Sequence, residues 1–250
     1  LIEFKDIHKS FGPKVVLNGV SLFVDTGHIL YIVGTSGVGK SVLVKHLVGL
    51  LRPDSGRVLL DGQDITDYSE KQFYAVRRRC TMVLQSPTLF DSMTLLENVA
   101  LPLRKLHRLP QKEALAKAKT FLDKVQMGHY ADFFPSEVGV GLQKRVSIAR
   151  ALTVDPEYVI FDEPTTGLDP LAATHVDQMI RSLSDDLGVT SIVVSHDLRS
   201  IFTVADRIAM LYKGKVQFEG TRSELRNATD PIVRQFIEGR PEGPLEIRTV

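Results

Sequence analysis

Apolar positions change rhythm along this chain, and the changes divide it. Over Leu1–Val24, the residues Ile2, Phe4, Ile7, Val15, Val16, Leu17, Val20 and Leu22 partly alternate with polar neighbours around Gly12-Pro13. That pattern predicts strands on either side of a turn. His28–Val33 is a short apolar run that reads as a strand, and it ends in a glycine-rich loop. A helix is expected over Ser41–Leu51, a strand over Arg57–Leu60 closed by Asp61-Gly62, a helix over Ser69–Arg79 and a strand over Cys80–Gln85.

From Ser86 to about Thr153 the period becomes helical, most clearly in Leu115, Ala118, Phe121 and Leu122 of the stretch Gln111–Val125. Strand and helix then alternate: strand Tyr158–Phe161, helix Leu171–Leu187, strand Ser191–Ser195, helix Leu198–Ala205, strand Ile208–Tyr212. Alternation of this kind argues for an α/β fold, a mostly parallel sheet covered by helices. The helical block is an insertion between two halves of one domain. The expected organisation is a core of residues 1–85 and 154–225, an inserted helical subdomain of residues 86–153, and a C-terminal extension of residues 226–250. In that extension Pro231–Ile237 reads as an amphipathic turn, before a tail with proline and glycine.

Bulk composition narrows the function classes. Lys and Arg number 31 against 30 Asp and Glu, a formal charge of +1, so no bulk field favours nucleic acid or anionic lipid. The single cysteine, Cys80, allows no internal disulfide and reads as a small buried side chain. No segment approaches the roughly 18 apolar residues of a membrane span; the longest candidate, Val42–Leu51, is interrupted by Lys45 and His46. No secretory leader is read at the start, which opens on Leu1. A role at a membrane would have to come through a partner.

The chemistry concentrates after the third strand. Gly34-Thr35-Ser36-Gly37-Val38-Gly39-Lys40-Ser41 matches G-x-x-x-x-G-K-[ST], between a predicted strand and a predicted helix. Glycines let successive N–H groups turn inward, and the helix N-terminus adds partial positive charge. Lys40 can reach terminal phosphates, and the Ser41 hydroxyl can ligate Mg²⁺. The loop, with Val42 behind it, is the candidate ATP cradle. Tyr158–Glu163 is an apolar strand ending in two carboxylates, at the end of a strand where open α/β sheets bind ligands. Asp162 is placed there to hold Mg²⁺ through water and Glu163 to polarise an attacking water. His196 ends the next strand, and Gln85 ends an earlier one.

In this order the motifs resemble the ATP-binding subunits of ABC transporters over nearly the whole chain. The resemblance implies a P-loop, RecA-like core with an antiparallel β subdomain and an inserted helical subdomain. It places Phe11 where an aromatic stacks on adenine, Gln85 as the Q-loop ligand of Mg²⁺ and participant in catalysis, Gly167-Leu168-Asp169 as the D-loop, and His196 as the switch histidine. It implies ATP and Mg²⁺ as cofactors and a dimer, expected as a homodimer. It also implies an integral membrane permease docked near Leu89–Leu103 at the cytoplasmic face of the inner membrane. Within the family, Gly39–His46, Leu89–Thr94, Glu97–Leu103 and Asp230–Phe236 followed by Glu242-Gly243-Pro244 look like the Mla-type ATPases of phospholipid transport. That likeness implies an Mce-domain lipid-binding protein and a small STAS-type subunit as partners, and no nucleic acid.

One motif departs from the family. Its signature is Leu-Ser-Gly-Gly followed by Gln or Met, and here Val138-Gly139-Val140-Gly141-Leu142 stands in its place. By the resemblance, Gly139 and Gly141 face the γ-phosphate held by the opposite subunit, as does the D-loop Asp169. Gly139 keeps a backbone N–H but lacks the serine hydroxyl, a charge-assisted bond of roughly 1.5–3 kcal/mol. An ATP-dependent clamp that closes and hydrolyses weakly therefore stands beside an active motor, as does an ABC ATPase for another substrate. A soluble ABC protein acting on DNA or ribosomes would carry a long coiled-coil insertion or two tandem units, and this sequence reads as neither.

Overall fold

The computed structural model describes residues 1–246. The chain opens with β1 (Ile2–Phe11) and β2 (Lys14–Val24), followed by β3 (Ile29–Val33), α1 (Lys40–Leu47), β4 (Ser55–Leu60), β5 (Gln63–Asp64), α2 (Glu70–Arg79) and β6 (Cys80–Val83). The helical block holds α3 (Leu95–Lys105), α4 (Gln111–Lys124), two 3-10 turns and α5 (Val140–Leu152). Then come β7 (Tyr158–Asp162), α6 (Pro170–Leu187), β8 (Thr190–Val194), α7 (Leu198–Val204), β9 (Arg207–Tyr212), β10 (Lys215–Gly220), α8 (Arg222–Arg226) and α9 (Pro231–Glu238).

The strands form a four-stranded antiparallel sheet, β2-β1-β4-β5, and a six-stranded sheet, β10-β9-β3-β8-β7-β6. The second sheet is parallel from β9 to β6, with β10 antiparallel at its edge. Its central strands are buried on both faces, which explains why β3 reads as one unbroken apolar run. On β3, Ile29, Tyr31 and Val33 enter the core beneath the helical block, while Leu30 and Ile32 face the core shared with the antiparallel sheet. β7 divides the same way: Val159 and Phe161 on one side, Tyr158 and Ile160 on the other. Pairing Ile32 with Val194 and Asp162 with Val194 holds the C-terminal ends of β3, β7 and β8 level. The phosphate loop, Glu163 and His196 all leave the sheet at that edge.

Several boundaries differ from the sequence reading. α1 stops at Leu47; the apolar residues Val48–Leu51 form a turn in which Leu50 N–H donates back to Lys45 O at 3.0 Å, and Pro53 follows. β6 stops at Val83, leaving Leu84 and Gln85 in an exposed loop. The pattern of β10 does not alternate cleanly and by itself predicts no strand. The strand exists because Lys213-Gly214, with φ of 46° and 75°, makes a tight reversal after β9. Pro231–Glu238 is a full helix rather than a turn, capped by Asp230 accepting from Ile232 and Val233 N–H groups and closed by Gly239 at φ 63°. Cys80 is buried on β6, and burial pushes its thiol up to about 12, so it packs rather than reacts. Among the described residues no helix is long and apolar enough to cross a membrane.

Candidate active site

The loop between β3 and α1 is shaped by positions that reject a side chain. Gly34 sits at φ 142°, and a Cβ there would collide with the Leu211 carbonyl; at Gly39, φ 108°, a Cβ would lie 2.8 Å from Leu17 Cδ2. The loop therefore lies tight against β9 and β2. Lys40, 6% exposed, begins α1, and its Nζ donates to Gly34 O at 2.9 Å and Thr35 O at 3.1 Å. Burial lowers the Lys40 pKa, while Glu163 and Asp162 pull it back up. The ammonium is thus folded onto its own loop, 3.8 Å from Glu163 Oε1.

The facing wall comes from β7 and β8. Ser41 Oγ donates to Asp162 Oδ1 at 2.7 Å. Glu163 takes a left-handed backbone, φ 51°, with its N–H on Val194 O at 2.8 Å. That kink turns its side chain toward the loop. Glu163 Oε2 accepts from the Thr166 hydroxyl at 2.8 Å and lies 2.8 Å from His196 Nδ1. The side chain of Glu163 is 12% exposed and that of His196 is 59% exposed. Glu163 is enclosed, and His196 lies largely open to solvent beside it.

A cavity of about 990 Å³ joins these groups. It is lined by Phe11, Gly34, Thr35, Ser36, Gly37, Gly39, Lys40, Ser41, Val42, Gln85, Glu163 and His196, all expected from sequence. Phe11 is half exposed at the rim, with Lys9 Nζ 5.5 Å from its ring centre. Val38 sits within the loop, close to Gly34, and Asp162 joins through Ser41.

The remaining expected residues lie elsewhere on the chain. Gly139 caps α5 in extended backbone, φ −67° and ψ 158°, without a side-chain cap. A Cβ at Gly141 would lie 3.4 Å from Ala172 and 3.6 Å from Leu168. Asp169 caps α6, accepting from Leu171 N–H at 3.0 Å and Ala172 N–H at 2.9 Å. The start of α5 thus abuts the start of α6 through Gly141, and none of the three residues lines the cavity within a single copy.

An ABC transporter model matches residues 17–166 of the sequence. The chain is 37% identical over 248 residues to the Haemophilus influenzae intermembrane phospholipid transport system ATP-binding protein MlaF, covering 99% of this chain and 94% of that protein. It is also 37% identical over 244 residues to the Mycobacterium leprae probable ribonucleotide transport ATP-binding protein mkl, covering 98% of this chain and 70% of that one. Its structure superposes on the ATP-binding cassette MJ0796, a dimer in a post-hydrolysis state bound to ADP and Pi. The TM-score is 0.81 at 30% identity, over 88% of this chain and 98% of that one.

The chain belongs to the ABC transporter family. It is an ATP-binding subunit of that family, whose ATP hydrolysis is coupled to transport. The ABC fold accounts for both sheets and the helical block.

The ABC motifs were visible in sequence because each is a run of chemically constrained residues, but parts of the cavity were not. Lys14 and Val16 line it from β2, and Gln235, Phe236, Gly239, Arg240, Pro241 and Leu245 line it from the C-terminal segment. Gln235, 3% exposed, pins that segment: its amide donates to Arg240 O and Leu245 O and accepts from Leu245 N–H. Nothing local marks these residues, since their role depends on a fold-back after α9. Lys144, which donates to the turn after β7, is hidden for the same reason, its carbonyl partners lying 19 and 22 residues away. Thr166 lies three residues from Glu163, and a lone threonine in a turn forms no recognisable motif.

Proposed function

We propose that this chain energises phospholipid transport as a symmetric dimer bound to a membrane permease. Identity to MlaF along essentially both full lengths is the observation that carries the substrate class. Two ATP molecules would lie between two copies. Each would be held by the phosphate loop of one copy and the Gly139–Gly141 and Asp169 region of the other. The separation of these two half-sites within one copy supports that reading.

The cavity suits ATP by its chemistry. Backbone N–H groups of Gly34–Ser41, the start of α1 and the Lys40 ammonium would meet the phosphates, and Phe11 would stack on the adenine. Ser41, Gln85 and Asp162 offer hard oxygens for Mg²⁺, which stabilises charge on the phosphates when bound. No group of three acidic, His or Cys side chains among the described residues could hold a metal alone. That suits an ion that prefers phosphate and water oxygens to an all-protein cage. Glu163 would accept the proton of the attacking water as the β–γ bridging P–O bond breaks. His196, whose Nδ1 lies 2.8 Å from that carboxylate, would help to hold its orientation.

The permease would dock at the loop before α3. Asn98, fully buried, accepts from Phe90 N–H at 2.7 Å and donates to Phe90 O and Thr94 O at 3.0 Å each. The loop is thus preformed, with Phe90 half exposed at its tip. The chain would sit at the cytoplasmic face of the inner membrane, in a complex that includes an Mce-domain protein and a STAS-type subunit.

Equal identity to mkl keeps a nucleotide-like substrate as the second reading. The complex reconstituted in vesicles, with fluorescent phospholipid in one leaflet, separates them. ATP-dependent loss of that lipid supports the proposal. An ATPase stimulated by ribonucleotides, with lipid unmoved, replaces it with the second reading.

A further inference from the structure

Helix α5 touches the chemistry at more places than its N-terminus. Lys144 stands in its second turn, 4% exposed. Its Nζ donates to Thr166 O at 2.7 Å and reaches Glu163 O at 3.4 Å. Both carbonyls belong to the turn that follows β7, which closes on itself through Thr166 N–H to Glu163 O at 3.3 Å. The Thr166 hydroxyl in turn donates to Glu163 Oε2. Fixing the Thr166 backbone therefore fixes the donor that aims the carboxylate.

A buried cation is costly unless its hydrogen bonds are made. Lys144 has no carboxylate within ion-pair distance among the described residues; burial lowers its pKa, the field of Glu163 opposes that shift, and the turn's carbonyls accept its hydrogen bonds. A neutral side chain of the same length would pack there without that cost. The cation is explained if it does something a methylene chain cannot.

The rest of α5 says what. Its first residues abut Leu168 and Ala172. Farther along, Ser147 donates to Pro87 O, and Arg150 donates to Thr88 O at 3.0 Å and Thr88 Oγ1 at 3.1 Å, in the loop just past Gln85. One rigid rod thus meets the dimer-facing end, the catalytic turn and the docking side.

We propose that Lys144 is a positioning residue for hydrolysis, tying the aim of Glu163 to the placement of α5. This rests on the composite-dimer reading above. When α5 of one copy engages the nucleotide held by its partner, Lys144 carries that placement to the turn of its own copy's Glu163. Each site then becomes competent in response to occupancy of the other, a coupling through contacts that bear on both sites.

The test uses the full chain in complex with its permease. Lys144→Met keeps volume and removes the charge; Lys144→Arg keeps the charge and donors. The expected result for Lys144→Met is a kcat about tenfold lower or more, with KM for ATP changed by less than about twofold. Its Hill coefficient for ATP should fall toward one, and Lys144→Arg should restore most of both values. A second measurement excludes mere misfolding of α5: in a Glu163→Gln background, Lys144→Met should leave ATP-driven dimerisation within about twofold. Wild-type kcat and Hill coefficient in Lys144→Met overturn the proposal. So does lost dimerisation in the double variant, or an Arg variant as slow as the Met one. Lys40→Ala is the control. If it also hydrolyses normally, the site assignment itself has failed; if it is inactive while Lys144→Met is normal, only this inference falls.

Discussion

The phosphate loop and the start of α5 are built in opposite ways. At the phosphate loop the central side chains are engaged: Lys40 bonds two carbonyls, Ser41 bonds Asp162, and Glu163 accepts from Thr166 with His196 beside it. At the start of α5 the backbone is bare. Gly139 offers no side-chain cap, a Cβ there would meet nothing within 4 Å, and Val140 is 51% exposed. The first end is complete within one copy and rejects added atoms. The second has room for them and, on the composite-dimer reading proposed above, would act against a partner. Preorganisation is spent where charge develops, and openness is kept where a second surface must close.

The sharpest way to break this contrast is Glu163→Gln. The amide keeps the shape but cannot take a proton, so kcat should fall by on the order of 10²–10⁴. Mg-ATP should then hold the dimer closed, visible by light scattering. A monomer throughout, with the permease present, removes Glu163 from the role. Next in size is Lys40→Ala, which should weaken ATP binding by on the order of 100-fold in a calorimetric titration. Unchanged affinity would mean that the folded-back ammonium does not turn to the phosphates.

Changes at the open end should be smaller and of opposite sign. The backbone of Gly139, φ −67°, accepts a serine without strain. Gly139→Ser with Val140→Gly should raise the ATPase rate of the assembled transporter by about tenfold, the low end of what one added donor to a charged group is worth. ATP affinity of the isolated chain should not move. An unchanged or lower rate at saturating ATP means the interface is already adapted to Gly139 and Val140.

The smallest effect lies between α6 and α7. Asp177 on α6, behind the Asp169 cap, accepts from Ser200 on α7, behind His196, at 2.6 Å. Burial raises its pKa from 3.8 to about 6, against the Ser200 bond and with help from Asp197. The folded state therefore holds this proton more tightly than the unfolded one. Stability declines as pH rises from about 4, and above about 6 the cost is complete. Asp177→Asn, which has no charge to bury, should melt roughly 5 °C higher than wild type at pH 8 and match it near pH 4. A difference independent of pH contradicts the assignment.

The sequence revealed what is local and chemically narrow. The loop Gly34–Ser41, the paired carboxylates after Phe161 and the strand-end His196 are legible because each lies in one short run whose flanking pattern fixes its place in the sheet. The fully buried strands were legible for the same reason. Less visible was anything set by return of the chain. Gln235 looks like one polar residue of an amphipathic helix, yet its amide holds the segment that lines the cavity beside the phosphate loop. Lys144 looks like a solvated charge beside Arg145, and burial shows otherwise. β10 depends on the Lys213-Gly214 reversal more than on its own pattern. The ends of α1 and β6 were overrun because apolar residues continue past the last ladder bond.

The central claim is that each ATP is held by two copies, and mixing two defective chains tests it most directly. One carries Lys40→Ala and the other Gly139→Asp, whose carboxylate would repel a phosphate across the interface. Neither homodimer has an intact composite site. A mixed dimer has one, joining the intact loop of the second chain to the intact α5 of the first. The account predicts that the mixture, assembled with the permease, hydrolyses ATP well above either parent. A rate equal to the average of the two parents would contradict it, placing the whole site within a single copy.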